Sequence, residues 1–274
     1  MLKRSVIFIV FFLSIQFGYT QDILNDWLIY CHAGSAIAID NLGKKVINDN
    51  KSGFGAAGYY AAVGIEIPLN KKTGFFTELN GQLIDIARKS MASQLNQTSF
   101  YQGVYALSSS LPTVVTLIDA KKYPNWNVKK SDWRSATLML GVTRKIPLFE
   151  KAKLNLIIKC GMGFLYARSP VLYGQSINDS TTATIEQNSG KALGFAARLG
   201  MTVEHQLNPK LKIRFNNDFD LSGNVKFKDI TATTTTTQGR YGSSNFIFTK
   251  SWVSGNLLQQ INAIHLSLGI AYEL

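Results

Sequence analysis

The chain ends in "NAIHLSLGIAYEL", residues 262–274. Ile264, Leu266, Leu268, Ile270, Tyr272 and Leu274 alternate there with Ala263, His265, Ser267, Gly269, Ala271 and Glu273. Successive side chains of a strand point to opposite faces, so this period of two predicts a strand with one greasy face. The same alternation recurs over 27–40, 54–69, 74–88, 132–148, 153–168, 190–206 and 211–225. It is clearest in 153–168, where Leu154, Leu156, Ile158, Cys160, Met162, Phe164 and Tyr166 alternate with Lys153, Asn155, Ile157, Lys159, Gly161 and Gly163. Eight strands are therefore predicted. Every second connection is tight, around "NKKTG", "FEKAK" and "LNPK". The others are medium (40–53) or long (89–131, 169–189 and the Thr-rich 226–256). An up-and-down meander of eight strands places all tight turns at one end and all loops at the other.

Alternation alone does not say which face is inside. A soluble lipocalin-like barrel buries its greasy face around a ligand, whereas a membrane barrel turns that face outward to lipid. The polar face mixes Gly and Ala with isolated charges at Glu66, Glu78, Arg134, Arg144, Lys159, Arg198, Glu204, Arg214 and Asp218. A water-washed face would carry more Lys and Glu and less Gly. A narrow eight-stranded lumen needs side chains that fill it, and small residues beside paired charges suit that space. The two-sided loop lengths point the same way. The expected fold is all-β: an eight-stranded antiparallel up-and-down transmembrane barrel, its backbone satisfied by closure. Trp27, Phe75, Phe149 and Tyr272 at the turn end, and Tyr59, Trp133 and Tyr166 at the loop end, are expected in two interfacial girdles.

Composition agrees. Hydrophobic residues make up 46% and charged residues 17%, with 22 Gly and only 6 Pro, which suits strands and turns. The start, "MLKRSVIFIVFFLSIQFGYTQD", has Lys3 and Arg4 before an apolar stretch and small residues at Gly18 and Thr20. It reads as a signal peptide over 1–20, cleaved before Gln21, with the barrel domain over 21–274. The formal charge is +12, and removing Lys3 and Arg4 leaves +10. An exported basic protein meets anionic lipid head groups or acidic polysaccharide rather than nucleic acid.

The "QD" after the signal peptide, the eight alternating strands and the final "LGIAYEL" resemble the small outer-membrane β-barrels of Bacteroidetes-type bacteria. These are the PorT-like, or outer-membrane-protein β-barrel-domain, families, similar in architecture to OmpA and OmpX. The resemblance covers 21–274 and rests on pattern rather than on a catalytic motif. It implies a location in the cell outer membrane. PorT-like relatives are implicated in protein secretion across that membrane, which makes a secretion component the alternative to a structural or interaction role through long extracellular loops.

The candidate sites follow from the faces. Glu66, Glu78 and Glu204 are expected to pair with Arg144, Lys159, Arg198 and Arg214 as a lumenal charge network. It would act as a plug, since an unpaired buried charge is costly; a narrow ion path is the other reading. His32 and His265 share the polar face of the first and last strands, which adjoin when the barrel closes. They read as interior hydrogen-bonding residues, or as a titrating or metal-binding pair lacking a third ligand. None of the three histidines reads as lying near the loop end, which argues against a lipid A-modifying enzyme. No cofactor or metal is expected. Cys31 and Cys160 fall on the greasy face of strands roughly opposite one another, too far apart for a disulfide. Lys121, Lys122, Lys129 and Lys130 around Trp126 form a candidate loop patch for lipopolysaccharide phosphates or an extracellular partner. Asp179-Ser180-Thr181 resembles a short O-glycosylation signal. The expected partners are outer-membrane lipid and lipopolysaccharide, with secretion-machinery or extracellular proteins beyond them, around a monomeric barrel.

Overall fold

The computed structural model describes residues 27–46, 51–96, 100–104, 114–118, 125–149, 153–178, 181–241 and 244–274. The expected signal peptide, Lys121 and Lys122, and the Asp179-Ser180 pair lie outside them.

Eight antiparallel strands close a barrel. They are β1 (Leu28–Ala38), β2 (Gly55–Pro68), β3 (Thr73–Ile86), β7 (Asp132–Phe149), β8 (Leu154–Arg168), β11 (Lys191–Gln206), β12 (Leu211–Ser222) and β15 (Ala263–Glu273). Their order around the barrel is β1-β15-β12-β11-β8-β7-β3-β2. Closure joins the first strand to the last, with Cys31 opposite Ile270 and Gly34 opposite Ser267. All eight match predicted segments to within three residues. β1 and β8 stand four places apart, so Cys31 and Cys160 are free thiols on opposite walls.

Two tight turns share one geometry because they share a Leu-Asn step. The Asn70 Oδ1 accepts from the Lys72 and Thr73 amides at 2.9 and 2.8 Å, and Asn208 does the same for Lys210 and Leu211 at 2.9 and 2.7 Å. The asparagine side chain thus completes the turn itself. At this same end the Leu274 amide donates to the Trp27 carbonyl at 2.9 Å.

The loop end departs from the prediction. The stretch 169–189 forms β9 (Leu172–Asn178) and β10 (Thr181–Gln187). The Thr-rich stretch forms β13 (Val225–Tyr241) and β14 (Ser244–Gln259). With the short β6 (Asn127–Val128) these make a five-stranded sheet, ordered β14-β13-β10-β9-β6. Thr is β-branched and favours extended backbone, but strands outside lipid need no apolar stripe, so the alternation that marked the barrel is missing. The stretch 89–131 likewise holds α2 (Arg88–Leu95), the paired β4 (Phe100–Val104) and β5 (Val114–Ile118), and β6, while α1 (Asp40–Gly43) follows β1.

Candidate functional site

The outward face of the wall carries a mostly apolar belt, with large exposed apolar side chains on every strand. Leu193 is 79% exposed, Phe195 70% and Met162 66%, and Ile29, Val63, Leu79, Leu140, Phe215 and Leu268 share that face. On β11 the apolar outward run goes from Leu193 to Val203, which at strand rise and a barrel tilt of about 40° is about 25 Å tall. That is the height of a bilayer-facing band. Water would not tolerate such a continuous belt on a monomer.

The inward face is the inverse: charged, hydrogen-bonded and buried. Near the turn end, Glu204 sits between Arg214 (Nε 2.9 Å, Nη2 2.7 Å) and Lys145 (3.0 Å). Arg214 also reaches Glu66 at 2.7 Å, whose other oxygen accepts from the Thr143 hydroxyl at 2.7 Å. Lys212 pairs with Glu273 at 2.6 Å. A cavity of about 170 Å³ opens at this mouth, lined by Glu66, Thr143, Lys145, Glu204, Lys212 and Arg214 among others.

Above it the Phe76 ring lies along the inner wall over Gly141 and Gly161 of the next two strands, where an added Cβ would lie 2.6 and 2.8 Å from the ring. The second charged layer follows. Arg198, 1% exposed, clamps Asp220 with both Nε (2.6 Å) and Nη2 (2.7 Å), while its Nη1 pairs with Glu78. Glu78 also accepts from the Tyr30 and Tyr60 hydroxyls at 3.1 and 3.0 Å and lies 3.3 Å from His32 Nε2. Lys159 joins Asp218 at 3.2 Å and Asn216 at 3.2 Å. Two cationic and three acidic side chains are thus held in one hydrogen-bonded layer, the arrangement that makes burial of charge tolerable.

Gly200 is part of this layer, because a Cβ there would collide with the Asp218 carboxylate. Gly200→Ala is expected to lower stability by about 1–3 kcal/mol through overpacking, read as an earlier midpoint in equilibrium unfolding, whereas Ala196→Gly should cost under about 1 kcal/mol.

Of the expected network, Glu66, Glu78, Lys159, Arg198, Glu204 and Arg214 come together in two layers. Arg144 does not. It lies on the even-numbered, outward face of β7 with Ala136, Leu138 and Val142, and donates to the Thr73 hydroxyl at 3.0 Å. Arg134 also faces out, bound to Asp132 at 3.1 Å. Strict alternation assigns both outward, and the neighbouring Lys145 supplies the lumenal cation instead. Asp220 and Lys145 complete the layers and were legible by the same parity.

His32 and His265 both lie inside, flanking Tyr60 with ring centroids 5.5 and 4.0 Å from it. His32 Nδ1 is 2.8 Å from Ser267 Oγ, and His265 Nε2 is 2.8 Å from Gln82 Oε1. Among the described residues no group of three or more His, Cys, Asp or Glu is placed to hold a metal. His265 sits near the loop end of β15, contrary to expectation, yet it is fully buried in the lumen and does not face the lipid.

The loop end is sealed by apolar packing. Trp133, expected in a lipid girdle, points inward; its Nε1 donates to the Gly53 carbonyl at 2.7 Å and its ring meets Phe227 edge-on at 5.6 Å. Ile84, Leu42, Phe54, Leu165, Val225 and Ile230 belong to the same buried apolar cluster. Trp126 of the candidate loop patch is buried in this same core. Lys129 caps the Tyr173 ring at 4.1 Å, and Lys130 reaches Asp85 at 3.5 Å.

An apolar belt outside, paired charge inside and a closed backbone define an eight-stranded transmembrane β-barrel of the outer-membrane type. No family model matches the sequence, and no curated protein does. Solved structures similar to it include Neisserial surface protein A (5% identity, 93% of this chain and 100% of that one, TM-score 0.42). The outer membrane protease OmpT of Escherichia coli shares 7% identity over 94% and 100% of the two chains, TM-score 0.41. The attachment invasion locus protein Ail of Yersinia pestis shares 9% over 92% and 100%, TM-score 0.39. The class rests on this chain's own geometry.

Proposed function

We propose that this protein is an integral outer-membrane barrel with a structural or interaction role, exercised by the strands and loops beyond its loop end. Tight turns and both ends of the barrel domain face the periplasm in this reading, and the five-stranded sheet faces outward from the cell. The observation that carries it is the contrast between the two parts. The lumen is filled by two ion-paired layers, one aromatic ring and an apolar seal. The long connections, by comparison, are built into strands of up to 17 residues. A filled lumen speaks against a pore, while a sheet beyond the membrane would offer a surface to a partner.

Planar-bilayer recording tests this directly. The reconstituted full chain is expected to give no discrete conductance steps; reproducible steps would favour the narrow channel instead. A deletion strain is expected to keep its surface cargo and an unchanged lipid A mass spectrum. Loss of cargo would move the assignment to a secretion component of the PorT kind, and altered lipid A to an enzyme.

A further inference from the structure

One feature of the lipid-facing wall is at odds with a purely apolar belt. Arg134, Arg168 and Lys191 are direct cross-strand neighbours on β7, β8 and β11, and all three point outward at the loop end. Like charges set directly opposite in a sheet repel, with Cβ atoms about 4.5–5.5 Å apart. Here three follow in a row. Asp132 offsets Arg134, whereas Arg168 Nε donates to the neutral Ser189 hydroxyl at 3.1 Å, which orients the guanidinium without neutralising it. The row thus keeps an excess of positive charge.

What lies beneath the row is equally specific. The next outward tier, one pleat repeat or about 7 Å down, is Ala136, Tyr166 and Leu193; the tier below is Leu138, Phe164 and Phe195. The Phe164 and Phe195 rings pack at 5.2 Å. Ala136, the small residue of the upper tier, stands beside Tyr166 directly below the cations. The opposite rim of the same three strands carries Ile146, Leu156 and Val203 in one row and a single cation, Arg144, beside Ile158 and Met201 in the next, so it holds no row of cations. Guanidinium groups grip phosphate oxygens through paired N–H donors, and aromatic faces at this depth meet acyl chains.

We infer that Arg134, Arg168 and Lys191 form a wall site for the phosphate group of an outer-leaflet lipid, lipid A in the outer membrane, whose acyl chains lie over Tyr166, Phe164 and Phe195. The site rests on the outer-membrane reading and its orientation, and it is separate from the loop lysines. A bound phosphate would turn the repulsive row into a favourable one and fix the height of the barrel in the outer leaflet.

The test is native mass spectrometry of the full chain released from detergent micelles, with diphosphoryl lipid A, dephosphorylated lipid A and inorganic phosphate as separate probes. The wild type should retain diphosphoryl lipid A. The variant R134Q/R168Q/K191Q should bind it at least tenfold more weakly, Arg144→Gln at the other rim should bind it normally, and F164A/F195A should weaken it severalfold. Dephosphorylated lipid A should bind wild type and triple variant alike. Equal retention by the triple variant, or competition by inorganic phosphate at concentrations matching the lipid, would overturn the assignment. Heat-modifiable gel migration separates the failures. A triple variant that binds normally and still shifts on heating refutes this site alone, whereas a wild type without the shift refutes the membrane reading. If the triple variant does not fold, Arg168→Gln and Lys191→Gln singly should each show a severalfold loss, and no loss in both would refute the site.

Discussion

Arg198→Met is expected to cost about 3–5 kcal/mol of stability, the effect of stripping the counterion from a buried charge cluster. Arg198 holds Asp220 by two bonds and also pairs with Glu78, with Asp218 at 3.9 Å. Without it, Lys159 alone would face three buried carboxylates. Methionine fills a similar volume but returns no charge and no donor. Urea unfolding of the reconstituted barrel, followed by heat-modifiable migration, measures the loss. A double variant removing Asp220 as well, R198M/D220N, should recover part of it, since the uncompensated charge rather than the missing contact sets the cost. Arg144→Met is the comparison. That side chain is exposed and bonded only to Thr73 among the described partners, so its loss should stay within about 0.5 kcal/mol. If the two substitutions cost the same, the two-layer account of the lumen is wrong.

The difference between these arginines shows how far the sequence could be read. In a strand of period two, one register decides every side chain, so the barrel wall was legible almost completely: the even-numbered apolar residues of β8 and β15 face outward, while Ile157 and Leu165 turn inward. Arg198 and Arg214 were placed correctly by the same parity, and Arg134 and Arg144 were misplaced only where charge was allowed to outrank it. Cross-barrel partners were less accessible. That Arg198 meets Glu78, 120 residues away, depends on barrel shear and side-chain reach, which no local pattern encodes. The sheet beyond the membrane was hidden for another reason. Its strands pair outside the barrel wall, and residues such as Thr233–Thr237 carry strand propensity without an apolar stripe in the sequence. The apolar seal had a visible trace: Ile84, Ile86 and Trp133 stand on the inward parity of β3 and β7, where the lumen stops being polar. Trp133 reads as a girdle residue only if its parity is ignored.

Leu199→Arg is the second substitution with a large expected effect, and it decides what surrounds the barrel. Leu199 lies midway along β11, 56% exposed on the outward face, with Cys160 and Phe219 as its cross-strand neighbours. In a bilayer an arginine at the midplane of a barrel wall costs about 2–4 kcal/mol, because its charge leaves water for hydrocarbon. The cost falls to about 0–1 kcal/mol near the interface, so Leu193→Arg, six residues closer to the loop end, should be much milder. On a water-soluble barrel both positions would be ordinary surface sites, and each change would stay within about 0.5 kcal/mol. Folding the variants into liposomes and measuring their unfolding gives the two numbers. A large loss at 199 with a small one at 193 is the depth profile of a bilayer. Equal and negligible losses would mean that water, not lipid, covers the apolar belt, and the greasy face would then need a protein partner to hide it.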